Sequence, residues 1–311
     1  MNLEGNQTSV TDFVLVGFTT DPFLRIIFFL LFLVSYTLTL IGNLGLMILI
    51  YLNSCLHTPM YFFVGSLSFL DIWYSSVYTP RILSDCVSNN NHMSLAGCTA
   101  QFFFSAGLAY TECFLLAFMA YDRFVAICNP LLYNTAMPKK LCIQLVIGAY
   151  AAGFANAIAH TGNIFRLRFC GNNVINHYFC DAPPLVKMAC DDTQMYELIQ
   201  NSVIGCNVLA TAAVILSSYI GIGAAIVRIR SAAGRCKAFF TCSAHLVSIT
   251  PFYGSILIMY SRSNSQHNPN WDKANALFCS QPSGQPFHLQ LMQQRCEGSL
   301  QESLGEIHRN E

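Results

Sequence analysis

The stretch MAYDRFVAIC, residues 119–128, sets an aspartate and an arginine side by side at the end of a long apolar run. Charge in or beside hydrocarbon is expensive, so the pair marks either the end of a membrane helix or a working site. The surrounding composition decides that hydrocarbon is the setting. Of 311 residues, 54% are hydrophobic and only 10% charged, with a mean hydropathy of +0.45. Soluble domains carry nearer a quarter charged residues. Net charge is zero and no block of like charge occurs, which excludes a nucleic-acid partner on electrostatic grounds. The start, MNLEGNQTSVTDF, has no basic n-region and no short apolar core. It predicts no cleaved signal peptide, so the first apolar segment directs its own insertion.

Six runs are long enough to cross a bilayer as helices: Ile26–Leu52, Met60–Tyr78, Thr99–Ile127, Leu141–Phe165, Leu198–Val227 and Ala238–Tyr260. The expectation is an all-α membrane protein. Orientation follows weakly from basic residues. Lys139, Lys140, Arg228, Arg230, Arg235 and Lys237 fall on one face, against Arg25, Arg81, Arg166, Arg168 and Lys187 on the other. Asn6-Gln7-Thr8 is a glycosylation sequon, useful only with an extracellular N-terminus. By parity the loop 166–196, with Cys170, Cys180 and Cys190, shares that side, and Cys98 lies at the mouth of the third span. Four cysteines on one oxidising face form a disulfide framework, for which three pairings exist.

With that orientation Asp122-Arg123 lies at the cytoplasmic end of the third span. The arginine either snorkels to the headgroups beside a balancing acid, or it is a latch that pairs with Asp122 at rest and opens to a cytoplasmic partner. Asp71 and Glu112 lie mid-membrane in the second and third spans, Glu112 about three turns above Arg123. Buried carboxylates are neutralised or paired. The two acids, with Asn43 nearby, share a proton, bind a small cation such as sodium through oxygen ligands, or form a hydrogen-bonded network that only holds helices together. Higher in the third span Phe102, Ser105, Ala106, Ala109 and Tyr110 recur at helical spacing. Small residues leave room there and two hydroxyls offer hydrogen bonds, which makes that face a candidate wall of a pocket for a neutral ligand; small residues also serve helix packing.

The blocks LHTPMYFFVGSLSFLD (56–71), MAYDRFVAICNPLLY (119–133), SYIGI (218–222), KAFFTCSAHL (237–246) and PFYGS (251–255) resemble the vertebrate odorant receptors. These are rhodopsin-like, G-protein-coupled receptors with seven helices. The likeness covers roughly residues 10 to 278. It implies a rhodopsin-like helical bundle with six transmembrane helices readable of the expected seven. It implies disulfides Cys98–Cys180 and Cys170–Cys190. Asp122 and Arg123 become the activation latch, with Tyr219, His245, Arg235 and Lys237 at the G-protein interface. Asp71 and Glu112 match a cation site. Val203, Ile204 and Asn207 in the fifth span, and Tyr253, Ile256, Leu257 and Tyr260 in the sixth, match ligand-cavity positions. The implied partners are a small volatile odorant and a heterotrimeric G protein of the stimulatory olfactory type, with the chain multi-pass in the plasma membrane.

After residue 278 the likeness stops. The family continues into an apolar seventh helix, whereas CSQPSGQPFHLQLMQQRCEGSLQESLGEIHRNE (279–311) is polar and reads as disordered. The expected organisation is an extracellular N-terminus (1–25), a six-helix receptor part (26–262), an extracellular loop (263–278) and a divergent tail (279–311). The alternative function is a truncated, non-signalling product retained in the endoplasmic reticulum or pairing with intact receptors. An enzyme or transporter finds no support: no His-Glu-x-x-His, Gly-x-Ser-x-Gly or Walker loop occurs, and no inverted repeat.

Overall fold

The computed structural model describes residues 12–16, 21–88, 91–170, 173–229 and 231–261. Asn6, the loop 263–278 and the tail 279–311 lie outside the described residues, as do the side chains of Lys237, Leu257 and Tyr260. Among the described residues there are six long helices: α1 (Pro22–Leu52), α2 (Pro59–Val87), α3 (Leu95–Cys128), α4 (Lys139–Ile164), α5 (Gln194–Arg228) and α6 (Ala232–Ser261). By length and composition α1, α3, α4 and α5 are able to cross a membrane. Helices α2 and α6 have the length, 29 and 30 residues, but α2 carries Asp71, Arg81 and Asp85, and α6 carries Arg235 and Lys237. On α1 the side chains of Phe23, Ile26, Leu31, Leu38 and Ile41 are all exposed. A surface so apolar is stable only where the solvent is itself hydrocarbon.

The helix ends differ from the hydropathy limits. The second span reads from sequence as ending at Tyr78, yet α2 passes Pro80 and continues to Val87. Its polar last turns are tied down. Arg81 pairs with Asp85 four residues on, 3.0 Å away, and donates to the His92 carbonyl. Arg25 of α1 donates to the Asp85 and Ser88 carbonyls, both 3.0 Å. Terminal helix carbonyls lack partners within their own helix, and this guanidinium supplies two.

The chain divides into two compact units. The first comprises Met1–Thr39, Ile72–Leu115 and Gln144–Ala213. Within it the segment DFVL forms a strand, β1 (Asp12–Leu15), that pairs antiparallel with β2 (His92–Ser94) and parallel with β3 (Val174–Ile175). Phe13 and Leu15 point one way and are fully buried, as strand alternation requires. They join Cys98, Phe102, Ile164, Ile175, Cys180 and Leu185 in one hydrophobic cluster. Disulfides Cys98–Cys180 and Cys170–Cys190 pin the loop that contains β3. Beside the second of these, Arg168 and Asp191 form an ion pair at 2.7 Å, and Gln101 takes the Cys180 amide while donating to the Val77 carbonyl. This small sheet is an addition to the all-α reading.

The second unit comprises Leu40–Asp71, Leu116–Ile143 and Val214–Glu311. A short turn, Pro130–Leu132, and a four-residue helical segment, Tyr133–Ala136, connect α3 to α4. The Phe124 ring occupies the space that a side chain at Gly221 would need, so α3 and α5 approach closely there.

Close helix contact in the first unit rests on Gly153, whose added Cβ would strike the Thr111 hydroxyl and lie 2.7 Å from the Gly107 carbonyl. Gly153→Ala should cost about 1–3 kcal/mol, whereas Gly148→Ala, with nothing within 4 Å, should leave the midpoint unchanged or slightly raised. Thermal unfolding in nanodiscs measures both. A second expectation concerns acid. The Arg168 guanidinium and amide hold the exposed Asp191 carboxyl below the usual carboxylate range. Its stabilisation is therefore complete at neutral pH and lost as pH falls through that depressed value. Hydrogen exchange at the Cys190 amide, which donates to the Arg168 carbonyl, should quicken relative to its intrinsic rate only in that acidic window.

Candidate functional site

In the first unit the predicted α3 face is buried or half-buried: Phe102, Ser105 and Tyr110 are buried, Ala106 and Ala109 half-buried. Ser105 spends its proton on the Phe102 carbonyl, 2.9 Å away. Tyr110 does more. Its hydroxyl meets Nε2 of His160 on α4, and Nδ1 of His160 lies 2.7 Å from Oε1 of Gln200 on α5. A carbonyl oxygen only accepts, so Nδ1 donates to it; in the neutral ring Nε2 then accepts from Tyr110. Three helices are thereby joined by one polar chain. On α5 Val203, Ile204 and Asn207 are half-buried. Asn207 donates to the Val203 carbonyl at 2.8 Å and more weakly to Asn156 Oδ1 on α4 at 3.4 Å.

His160, Gln200 and Asn156 were absent from the sequence reading. The signal for His160 was present, because an ionisable residue inside a membrane span marks a site by default. Gln200 and Asn156 are uncharged single amides, and nothing in their spacing sets them apart.

In the second unit Asp122 and Arg123 are 1% and 7% exposed. Adjacent helical residues do not face each other, and Asp122 accepts a hydrogen bond from Tyr133 in the connecting segment, 2.8 Å away. Burial, and then the Asp122 charge, push the Tyr133 hydroxyl well above its ordinary pKa, so it stays a donor. The Arg123 charge acts on Tyr133, Tyr219 and Cys242. Tyr219 of α5 bonds Nδ1 of His245 on α6 at 2.8 Å, with the two rings stacked 27° apart. Arg235 is exposed and donates to the Ile229 carbonyl at the α5–α6 turn. Tyr253 and Ile256 are half-buried on α6. The geometry gathers Asp122, Arg123, Tyr133, Tyr219 and His245 where the last turns of α3 meet α5 and α6.

Asp71 and Asn43 are buried in the second unit, and Glu112 is half-buried in the first. Among the described residues no three of His, Cys, Asp and Glu are gathered to hold a metal ion.

Comparisons with known proteins give the family and the fold. The olfactory receptor family model matches residues 32–268. Human olfactory receptor 9G4 is 58% identical over 274 residues, covering 88% of this chain and 84% of that protein. Mouse olfactory receptor 9G19 is 51% identical, covering 89% and 90%. Squid rhodopsin shares the fold at a TM-score of 0.64 and 14% identity, over 85% of this chain and 76% of its own. The chain is therefore a multi-pass membrane protein with a rhodopsin-like helical bundle, and it belongs to the olfactory receptor family, whose members are signalling receptors and not enzymes.

Proposed function

We propose that the chain is an odorant receptor that binds a small, neutral, volatile molecule and couples to a stimulatory olfactory G protein, raising cyclic AMP. The observation that carries this reading is the cluster of Arg123, Tyr219 and His245 linking α3, α5 and α6, in a chain of this family. Odorant binds among the α3, α5 and α6 positions named above. It acts by stabilising the open state, and can shift the population only by its differential affinity. Opening moves α6, breaks the Tyr219–His245 contact and frees Arg123 for the G protein. The N-terminus is extracellular, supported by the Asn6 sequon and by the two bridged pairs of cysteines on the loop side. Asp71 and Glu112 supply the acids of a sodium site that favours the closed state.

A second reading is favoured by the polar sequence of residues 279–311, where the family has its seventh helix. It makes the chain a non-signalling product held in the endoplasmic reticulum or paired with intact receptors.

The test compares the native chain with a chimera carrying an intact seventh helix, both tagged at the N-terminus, for staining of unpermeabilised cells and for odorant-driven cyclic AMP. Signalling by both supports the first reading; surface display and signalling by the chimera alone support the second. In the signalling form Arg123→Ala should lower the cyclic AMP response at least tenfold while odorant binding persists. Millimolar sodium should weaken odorant potency in that form, and Asp71→Asn should abolish the sodium effect; a sodium effect unchanged by the variant would remove the ion from Asp71.

A further inference from the structure

A groove of about 690 Å³ lies between the first turns of α3 and the last turns of α4. It belongs wholly to the first unit and is apart from the Tyr110 network. Its walls are Ala96, Ala100, Phe103, Ile158, Thr161 and Gly162, with Leu95 and Phe104 at its ends. Ala96, Ala100, Ile158 and Gly162 are exposed, so in a multi-pass protein the groove opens to lipid. It runs from Leu95 to Phe104, about 14 Å along the helix, close to the thickness of one hydrocarbon leaflet of about 15 Å.

Three features define what fits. No lining residue is charged, which offers nothing to a phosphate headgroup. The floor is rigid: Phe104 packs against Trp73 at 5.8 Å between centroids, and Phe103 against Phe154 at 5.5 Å. Small side chains leave the opposite wall flat. Such a surface holds a rigid fused-ring body at less entropic cost than a flexible acyl chain. The third feature is a hydroxyl. Thr99 donates to the Leu95 carbonyl at 2.8 Å, but the Thr161 hydroxyl, on a residue 9% exposed, has no hydrogen-bond partner among the described residues. A buried polar group left unmade is costly. Threonine occupies more than one χ1 rotamer in helices, so this hydroxyl can turn to a ligand. It sits in the last turn of α4, near one end of a span able to cross the membrane.

We propose that the α3–α4 groove binds a sterol, its ring system flat on the Phe103–Phe104 floor and its single hydroxyl bonded to Thr161.

The full chain in phosphatidylcholine nanodiscs is labelled with a photoreactive cholesterol analogue and its peptides are mapped. Labelling is expected on residues 95–104 and 158–162, displaced by cholesterol and unaffected by added phosphatidylcholine. Gly162→Leu fills the groove without crowding the protein, because an added Cβ there meets nothing within 4 Å. It should cut labelling at least tenfold with helical circular dichroism unchanged, and Thr161→Val should cut it about fivefold. Labelling elsewhere or not at all, equal labelling of Gly162→Leu, or equal displacement by phospholipid overturns the proposal. Protection of the same face by a second copy, seen as labelling that rises on dilution into single-copy discs, overturns it as well.

Discussion

In hydrocarbon a polar group has no water to fall back on, so leaving one unsatisfied by the chain or by a ligand is costly. That constraint shapes both units. It forces the backbone into six long helices, and it sends every buried polar side chain in search of a partner. Arg25 finds the open carbonyls at the end of α2. Asp122 finds Tyr133, Tyr219 finds His245, and His160 satisfies Tyr110 and Gln200 at once. Because lipid offers helices little hydrophobic reason to associate, these bonds and the glycine contacts at Gly153 and Gly221 carry much of the specificity of packing.

In the proposed mechanism the same bonds are the switching elements. A hydrogen bond between two helices has two states, made and broken, and few intermediate ones. The Tyr219–His245 pair joins the two helices whose ends must part if a cavity is to open around Arg123. Asp122 is different. It accepts from Tyr133 of the connecting segment, so this acid also anchors the turn after α3.

Much of this was legible in the sequence, and the failures have physical causes. The six spans show as apolar runs because length and hydropathy are what a bilayer selects. Their ends do not, since a charge reads as a helix terminus, while Arg81 and Asp85 stabilise an extra turn of α2 by pairing with each other. Ser105 and Tyr110 were found by helical spacing, yet only the structure separates a hydroxyl satisfied by its own helix from one that reaches another. His160 is a single ionisable residue in a span whose apolar character hides it. The strand at Asp12–Leu15 is four residues long, too short for its alternation to stand out, and its partners lie about 80 and 160 residues away. The cysteine pairing came from family likeness; spacing alone left three choices.

The two disulfides also impose an order on biogenesis. Cys170 and Cys190 are 20 residues apart and Cys98 and Cys180 are 82 apart. At about 5–20 residues per second of synthesis, Cys98 waits roughly 4–16 s for its partner, with the third and fourth spans made in between. β1 waits longer still, since it pairs with β3. The amino-terminal strand lies between β2 and β3, so β3 is the last piece laid into the sheet, and the beginning of the chain is fully paired only when its middle has arrived.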